Sequence, residues 1–295
     1  MDDIKTINID DSNYPESLKK ISDAPKVLYY RGNCISNEPC FGVVGTRRPS
    51  PYGQQATLQI AGELADAGLT IVSGMAPGID TFAHTICVEK NRRTIAVLGT
   101  GLDEKSMYPQ QNLALSRKII LAGGCLISEF APGTPGYPNN FRKRNRIVSA
   151  LSLGILVVEA KEKSGSLITA GYAKMQKKKL FAVPGPIYTL NSKGPNGLIK
   201  EGATLVESAK DILDVLALNG VEGLEITPQK GSQKLFAAEN NTEALILNVL
   251  QQEPMYIDTI IKKTELPPAQ IATNLALMEI SGKIRNLGGN VYSIA

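Results

Sequence analysis

The feature that most narrows the fold is a rhythm. Short, unbroken apolar runs recur between helix-length amphipathic segments. The runs are Phe41–Val44, Thr70–Val72, Thr94–Leu98, Cys125–Ile127, Gly154–Val158, Leu180–Val183 and Thr204–Val206. A strand wet on one face alternates polar with apolar; a strand covered on both faces reads as a continuous run. Between the runs, Gly53 to Ala67 sets Leu58, Ala61, Leu64 and Ala65 at helical spacing and stops at Gly68. Further helices are expected at 80–90, 111–122, 144–152, 167–177 and 209–218. Strand, helix, strand in repetition predicts an open, doubly wound, mostly parallel α/β sheet over residues 37–218.

The ends of the chain break the rhythm. Residues 1–36 are polar with one short strand candidate, Val27–Arg31, and read as an extension packed on the main domain. Residues 219–241 carry Gly220, Gly223, Pro228, Gly231 and Ser232 among mixed charges and read as a linker. Residues 242–295 hold three helix candidates, 242–251, 257–264 and 268–281, then two short strands around Gly288 and Gly289. Pro267 and Pro268 open the third helix and Gly282 closes it, so this small unit reads as a winged helix.

Composition excludes several classes. The formal net charge is only +4, so a nucleic-acid reading must rest on clustered cations and not on the total. Cys34, Cys40, Cys87 and Cys125 have no CxxC spacing. That argues against a zinc site or disulfide framework and fits a reducing cytoplasm. The start Met1-Asp-Asp-Ile-Lys5 lacks the pattern of a secretory leader, and the apolar runs are strand-sized, so no membrane span is expected. Neither a G-x-G-x-x-G fingerprint nor a Gly-Lys-Ser/Thr phosphate loop is present, so no dinucleotide or ATP cofactor is expected. The one histidine, His84, reads as packed rather than catalytic, which argues against a Ser-His-acid triad, and one histidine with scattered cysteines offers no His/Cys metal set.

The chemistry concentrates on loops that follow strands, where open sheets bind ligands. Gly45-Thr-Arg-Arg48 follows the first run, Ser73-Gly-Met-Ala-Pro-Gly-Ile-Asp80 the second, and Ser128-Glu129 the fourth. Arg142, Lys143, Arg144 and Arg146 lie within five positions around Asn145, with no acid between them, and would repel one another without a partner. Ser164-Gly-Ser166, with Thr169, opens the next helix and offers backbone N–H groups and hydroxyls to phosphate oxygens. The bland readings are turn-forming glycines, a solvated Arg47–Arg48 pair and an ordinary charged helix face. Lys174, Lys177, Lys178 and Lys179 read as a solvated helix end. His84 reads as packed rather than catalytic. Asp80, Asp103, Glu129 and Glu159 can orient arginines or cap helices as readily as catalyse. Phe141 reads as core or as a base-stacking ring.

At these residues the chain resembles the DprA/Smf family of bacterial DNA-processing proteins. The resemblance is carried in order by Tyr14-Pro15, Leu28–Gly32, Val44–Arg47, Ser73–Asp80 with Ala83-His84, Ala96–Gly101, Tyr108-Pro109, Ser128-Glu129 with Pro132–Thr134, Phe141 with Arg144–Ile147, Val157–Ala160, Ser164–Ala170 and Phe181–Gly185. It implies an extended Rossmann domain with a C-terminal winged helix. It implies a non-enzymatic homodimer that binds single-stranded DNA without sequence specificity, protects it, and loads RecA recombinase in natural transformation. It implies DNA contacts at Arg47, Arg144, Asn145 and Arg146, with Ser164, Gly165, Ser166 and Thr169 on the phosphates. Arg48, Arg142 and Lys143 join them on charge and position alone. Arg142 stands where the family often has Pro, which adds charge to the groove.

Two other classes compete. The chain also resembles nucleoside-monophosphate phosphoribohydrolases of the same superfamily, but no acid follows Ser164–Thr169 before Lys177, and a hydrolase needs one at the sugar. A DNA-reading winged helix would use 268–281, which offers Gln270, Thr273 and Asn274 but no cation.

Overall fold

The computed structural model describes residues 3–218, 220, 240–250 and 254–294. The chain forms two compact units, Met1–Thr227 and Pro228–Ala295. The expected linker, 219–241, falls almost entirely outside the described residues.

Among the described residues, the first unit is built on nine strands: β1 (Lys5–Asn8), β2 (Val27–Gly32), β3 (Cys40–Val44), β4 (Thr70–Ser73), β5 (Thr94–Leu98), β6 (Cys125–Ser128), β7 (Gly154–Val157), β8 (Lys179–Ala182) and β9 (Thr204–Leu205). Its helices are α1 (Glu16–Lys19), α2 (Pro51–Asp66), α3 (Ile79–Glu89), α4 (Leu113–Leu121), α5 (Pro138–Leu151), α6 (Gly165–Met175), α7 (Lys193–Lys200) and α8 (Ala209–Leu218). The sheet order is β1-β2-β6-β5-β4-β3-β7-β8-β9. From β6 to β9 every pairing is parallel, and β2 joins β6 antiparallel.

Alternate residues of one strand enter opposite cores. Phe41 and Val43 pack with α2, α3 and α8, while Cys40 and Val44 pack with α1, α5 and α6. That two-sided burial is why the strand reads as an apolar run. The chain leaves β3 through β4, β5 and β6, then returns to place β7 beside β3, with Val43 opposite Leu156. The loops after β3 and β7 therefore diverge to opposite faces, and a crevice opens between them.

Three elements depart from the sequence reading. Residues 1–36 supply two strands of the sheet itself rather than a packed extension, anchored by the buried Ile7, Tyr14, Leu18 and Leu28. The β1 residues Lys5-Thr-Ile-Asn8 bury only Ile7, so no apolar run marks them. Helix α7, where the sequence reading placed no element, holds Gly194, Pro195 and Gly197. Pro195 falls in the first turn, whose N–H groups have no helical partner, so its missing donor costs little there. Helix α5 starts at Pro138, six residues before the expected 144, with proline in its first turn.

The second unit contains α9 (Asn241–Leu250), β10 (Met255–Tyr256), α10 (Ile257–Thr264), α11 (Pro268–Ile280), β11 (Ile284–Gly288) and β12 (Val291–Ile294). The strands form one antiparallel sheet, β10-β12-β11, over a core that includes Ile246, Leu250, Ile260, Ile271, Leu275 and Met278. Three helices and a hairpin give the winged-helix arrangement. On α11 the Thr273 hydroxyl donates to Ala269 O and the Asn274 amide to Gln270 O, so both turn back on their own helix. Among the described residues, no helix is long and apolar enough to cross a membrane.

Candidate nucleic-acid interface

A crevice of about 600 Å³ lies at the carboxyl edge of the sheet, where the strand order reverses. Val44, Gly45 and Arg47 line it from β3. Gly74, Ala76 and Asp80 line it from the β4–α3 turn, and Phe141, Arg142, Arg144 and Asn145 from α5. Lys163, Ser164, Gly165, Ser166 and Thr169 close it from the start of α6, and Tyr108 and Gly136 stand at its side.

The arginine loop after β3 is held by Glu159, at the end of β7. Its carboxylate accepts from Ser50 N (2.9 Å), Ser50 Oγ (2.6 Å) and Asn191 Nδ2 (3.4 Å). Its backbone O accepts from Thr46 N at 2.7 Å. Ser50 is the N-cap of α2 and accepts from Gly53 N, so the buried carboxylate also sits at a helix N-terminus, where negative charge is favoured. A Cβ at Gly53 would lie 2.4 Å from Glu159 Oε2. Gly78 adopts φ +85°, and a Cβ there would lie 2.4 Å from Thr46 O. Residues 45–50 are thus fixed from two sides. Arg47 projects exposed into the crevice; Arg48 is exposed outside it.

The cations of 142–146 do not share one surface. They lie on α5, where each residue turns about 100° from the last. Arg142 and Asn145 face the crevice, and Arg142 is exposed. Lys143 and Arg146 face the other way, both on Glu129 Oε2 at 2.9 Å. Arg146 is buried, and its Nε also lies 2.7 Å from Asp23 Oδ2. Arg144 lines the crevice but is only 5% exposed. It donates to Gly74 O at 2.5 Å and to Val97 O. A Cβ at Gly74 would meet its Nη2 at 2.4 Å, so glycine there makes room for the guanidinium. Burial brings the Arg144 pKa down to about 10, while Asp80 nearby opposes the shift. Lys143, Arg144 and Arg146 therefore have acidic neighbours after all, and of the four cations Arg142 alone is in no described ion pair or acid contact. Glu129, Asp23 and Asp80 supply the partners from other elements, which the run 142–146 does not show.

Asp80 is buried beside Arg144, and its Oδ2 accepts from Gly74 N (3.1 Å) and Ala76 N (3.3 Å). Burial raises its pKa against the pull of Arg144 and these N–H groups. Asn145 Nδ2 donates to Gly165 O at 3.2 Å, tying α5 to the start of α6. Ser164 is the N-cap of α6: its Oγ accepts from Ser166 N and lies 2.8 Å from Ser166 Oγ. The first turn of an eleven-residue helix, with its N–H groups and the positive end of its dipole, thus borders the crevice. Lys163, exposed one residue before the cap, was not singled out by sequence; its position before a capping serine was the available signal.

Among the described residues, no cluster of His, Cys, Asp or Glu could hold a metal ion. His84 is fully buried, with Nδ1 2.7 Å from Thr94 Oγ1. Burial brings its pKa from 6.5 to about 3, and Arg144 adds to the effect. The unfolded chain takes up this proton near pH 6.5 and the folded chain only near pH 3. Stability from the neutral ring is present above pH 6.5 and is lost as pH falls toward 3. The loss at this one group is about 2 kcal/mol by pH 5. Because the chain has one histidine, unfolding free energies at pH 7 and 5 for wild type and His84→Gln isolate it. The pH-dependent drop is expected to shrink by about that amount in the variant; an equal drop in both proteins would refute the assignment.

Fold and crevice together define an open α/β protein whose switch point is furnished to receive an anion. The model of the DNA recombination-mediator protein A family matches residues 5–217, and that of the DprA winged helix domain matches residues 234–290. The chain belongs to this family of DNA-processing proteins. It is 36% identical to protein Smf of Escherichia coli over 96% of this chain and 75% of that protein. It is 41% identical to the DNA processing protein DprA of Bacillus subtilis over 75% of this chain and 74% of that one. The solved structure of DprA from Streptococcus pneumoniae aligns with a TM-score of 0.66 at 39% identity, covering 72% of this chain and 74% of that one. DNA processing protein A from Helicobacter pylori aligns with a TM-score of 0.65 at 31% identity, covering 74% and 99%; its structure concerns a unique single-stranded DNA binding mode.

Proposed function

We propose that this protein binds single-stranded DNA in the switch-point crevice, without sequence specificity and without catalysing a reaction. The observation that carries this reading is the convergence of exposed Arg47, Arg142 and Lys163 with the first turn of α6 around one crevice. Cations draw the phosphates in; the N–H groups and the hydroxyl of Ser164 hold them, with the buried Ser166 and Thr169 beneath. Such contacts carry no base information, so binding tolerates any sequence. Arg144 and Asn145 shape the crevice wall. Arg48, Lys143 and Arg146 contribute field rather than contact.

The single-strand mode described for the Helicobacter relative supports this reading. Family membership supports the wider role: protecting the strand and loading RecA in transformation and recombination, as a cytoplasmic homodimer. Residues 37–218 are proposed as the DNA-binding domain and 242–295 as an auxiliary module. The phosphoribohydrolase reading gains one observation, an acid in the crevice. Asp80 is committed to two backbone N–H groups beside Arg144, which makes it an anchor for the turn. Release of adenine from AMP is not expected.

The direct test titrates the purified chain with a fluorescent single-stranded oligonucleotide and with its duplex, at two salt concentrations. Tighter, salt-sensitive binding of the single strand is expected. Equal binding to duplex, or none to either, would overturn the reading.

A further inference from the structure

We propose that Tyr108 is the base-stacking platform of the crevice, the feature that makes it prefer a strand with unpaired bases over a bare phosphodiester chain. The inference rests on the single-strand reading and deepens it.

Tyr108 lines the crevice with its side chain 48% exposed. Its neighbours Met107 and Pro109 are buried, so the backbone is pinned on both sides of an outward aromatic ring. The ring lies 5.6 Å from that of Phe141, centroid to centroid, at an interplanar angle of 50°. Phe141 is itself confined. A Cβ at Gly99 would lie 2.7 Å from its Cδ1, and a Cβ at Gly136 would lie 2.9 Å from its Cζ. Two glycines thus form the slot that holds Phe141, and the filled slot leaves it as a buttress. The sequence reading offered Phe141 as core or as a stacking ring; the geometry gives it the packing role and hands the open ring to Tyr108.

A ring buttressed in this way loses little freedom when a base lies on it. The same crevice carries Arg142, Lys163 and the first turn of α6 for the phosphates. Every base has a π-face, so stacking keeps sequence tolerance. Bases in a duplex are already stacked and cannot reach the ring, which adds a reason for single-strand preference.

The chain has no tryptophan, so Tyr108→Trp places a unique fluorophore at the site. Full-length wild type, Tyr108→Trp, Tyr108→Phe and Tyr108→Ala would be titrated with an oligothymidylate and with an abasic strand of the same length. Wild type is expected to favour the base-bearing strand on the order of tenfold, the range of one stacked base. Tyr108→Phe should keep that preference, and Tyr108→Ala should lose it while keeping its salt dependence. Tyr188→Ala, 92% exposed and outside the crevice, should keep it too. Emission of Tyr108→Trp should fall on adding oligothymidylate and not on adding the abasic strand. Full base preference in Tyr108→Ala, or equal wild-type affinity for both strands, would overturn this inference alone. Binding to neither strand would overturn the single-strand reading and this inference with it.

Discussion

Arg146→Ala is expected to lower the stability of the protein by about 3 kcal/mol and to change single-strand affinity of the folded molecule little. The side chain is 2% exposed, and its Nη2 lies 2.9 Å from the equally buried Glu129 carboxylate. Deleting the guanidinium strands that carboxylate in the interior. An uncompensated buried charge costs about 3–5 kcal/mol, more than a surface pair is worth. The lower end applies here because Lys143 Nζ stays 2.9 Å from the same oxygen. The ion pair with Asp23 adds little, since that carboxylate is 60% exposed. Urea unfolding of wild type and variant checks the first half of the expectation. DNA titration at a temperature where both are folded checks the second. A variant of unchanged stability that has lost DNA binding would show the guanidinium reaching the ligand. Glu129→Gln provides the reciprocal measurement, because it neutralises the same buried pair from the other side.

That expectation differs from the one the sequence supports, and the reason is geometric. Arg142, Lys143, Arg144 and Arg146 are adjacent in the chain and divergent on a helix. Their partners lie on other elements, Glu129 after β6 and Asp23 ahead of β2. No local pattern pairs residues so far apart. The sheet was legible because burial on both faces leaves an unbroken apolar run, as at Thr94–Leu98 and Gly154–Val157. Strand β1 was not, because an edge strand need bury only one residue. Nor was α7, where Gly194 is required for another reason: a Cβ there would lie 2.7 Å from Ala160 O. Local propensity yields to a packing demand at such positions. At the site, Arg47 and Ser164–Thr169 were legible because they follow strands at the edge where open sheets take ligands. Tyr108 carried only the weak signal of an aromatic beside a proline; its exposure comes from the burial of its neighbours.

Joint replacement of Arg47, Arg142 and Lys163 by alanine is expected to weaken single-strand binding on the order of a thousandfold at low salt. The figure allows about 1.4 kcal/mol for each charge-assisted phosphate contact. All three side chains are exposed, and among the described residues none is in an ion pair. Their removal strands no buried charge, so the unfolding free energy should move by no more than about 0.5 kcal/mol per site. The salt dependence separates contact from general charge. Each phosphate neutralised on a single strand contributes about 0.7 to the slope of log affinity against log salt. Losing three contacts should flatten the slope by about 2. Arg48→Ala with Lys143→Ala removes two further exposed cations, but neither lines the crevice. That pair should lower affinity modestly through the field and leave the slope nearly unchanged. An unaltered slope in the triple variant would remove the crevice from the binding path, whatever its affinity. The same flattening in the Arg48–Lys143 pair would place the strand across the outer face of the loop after β3 instead of within the crevice.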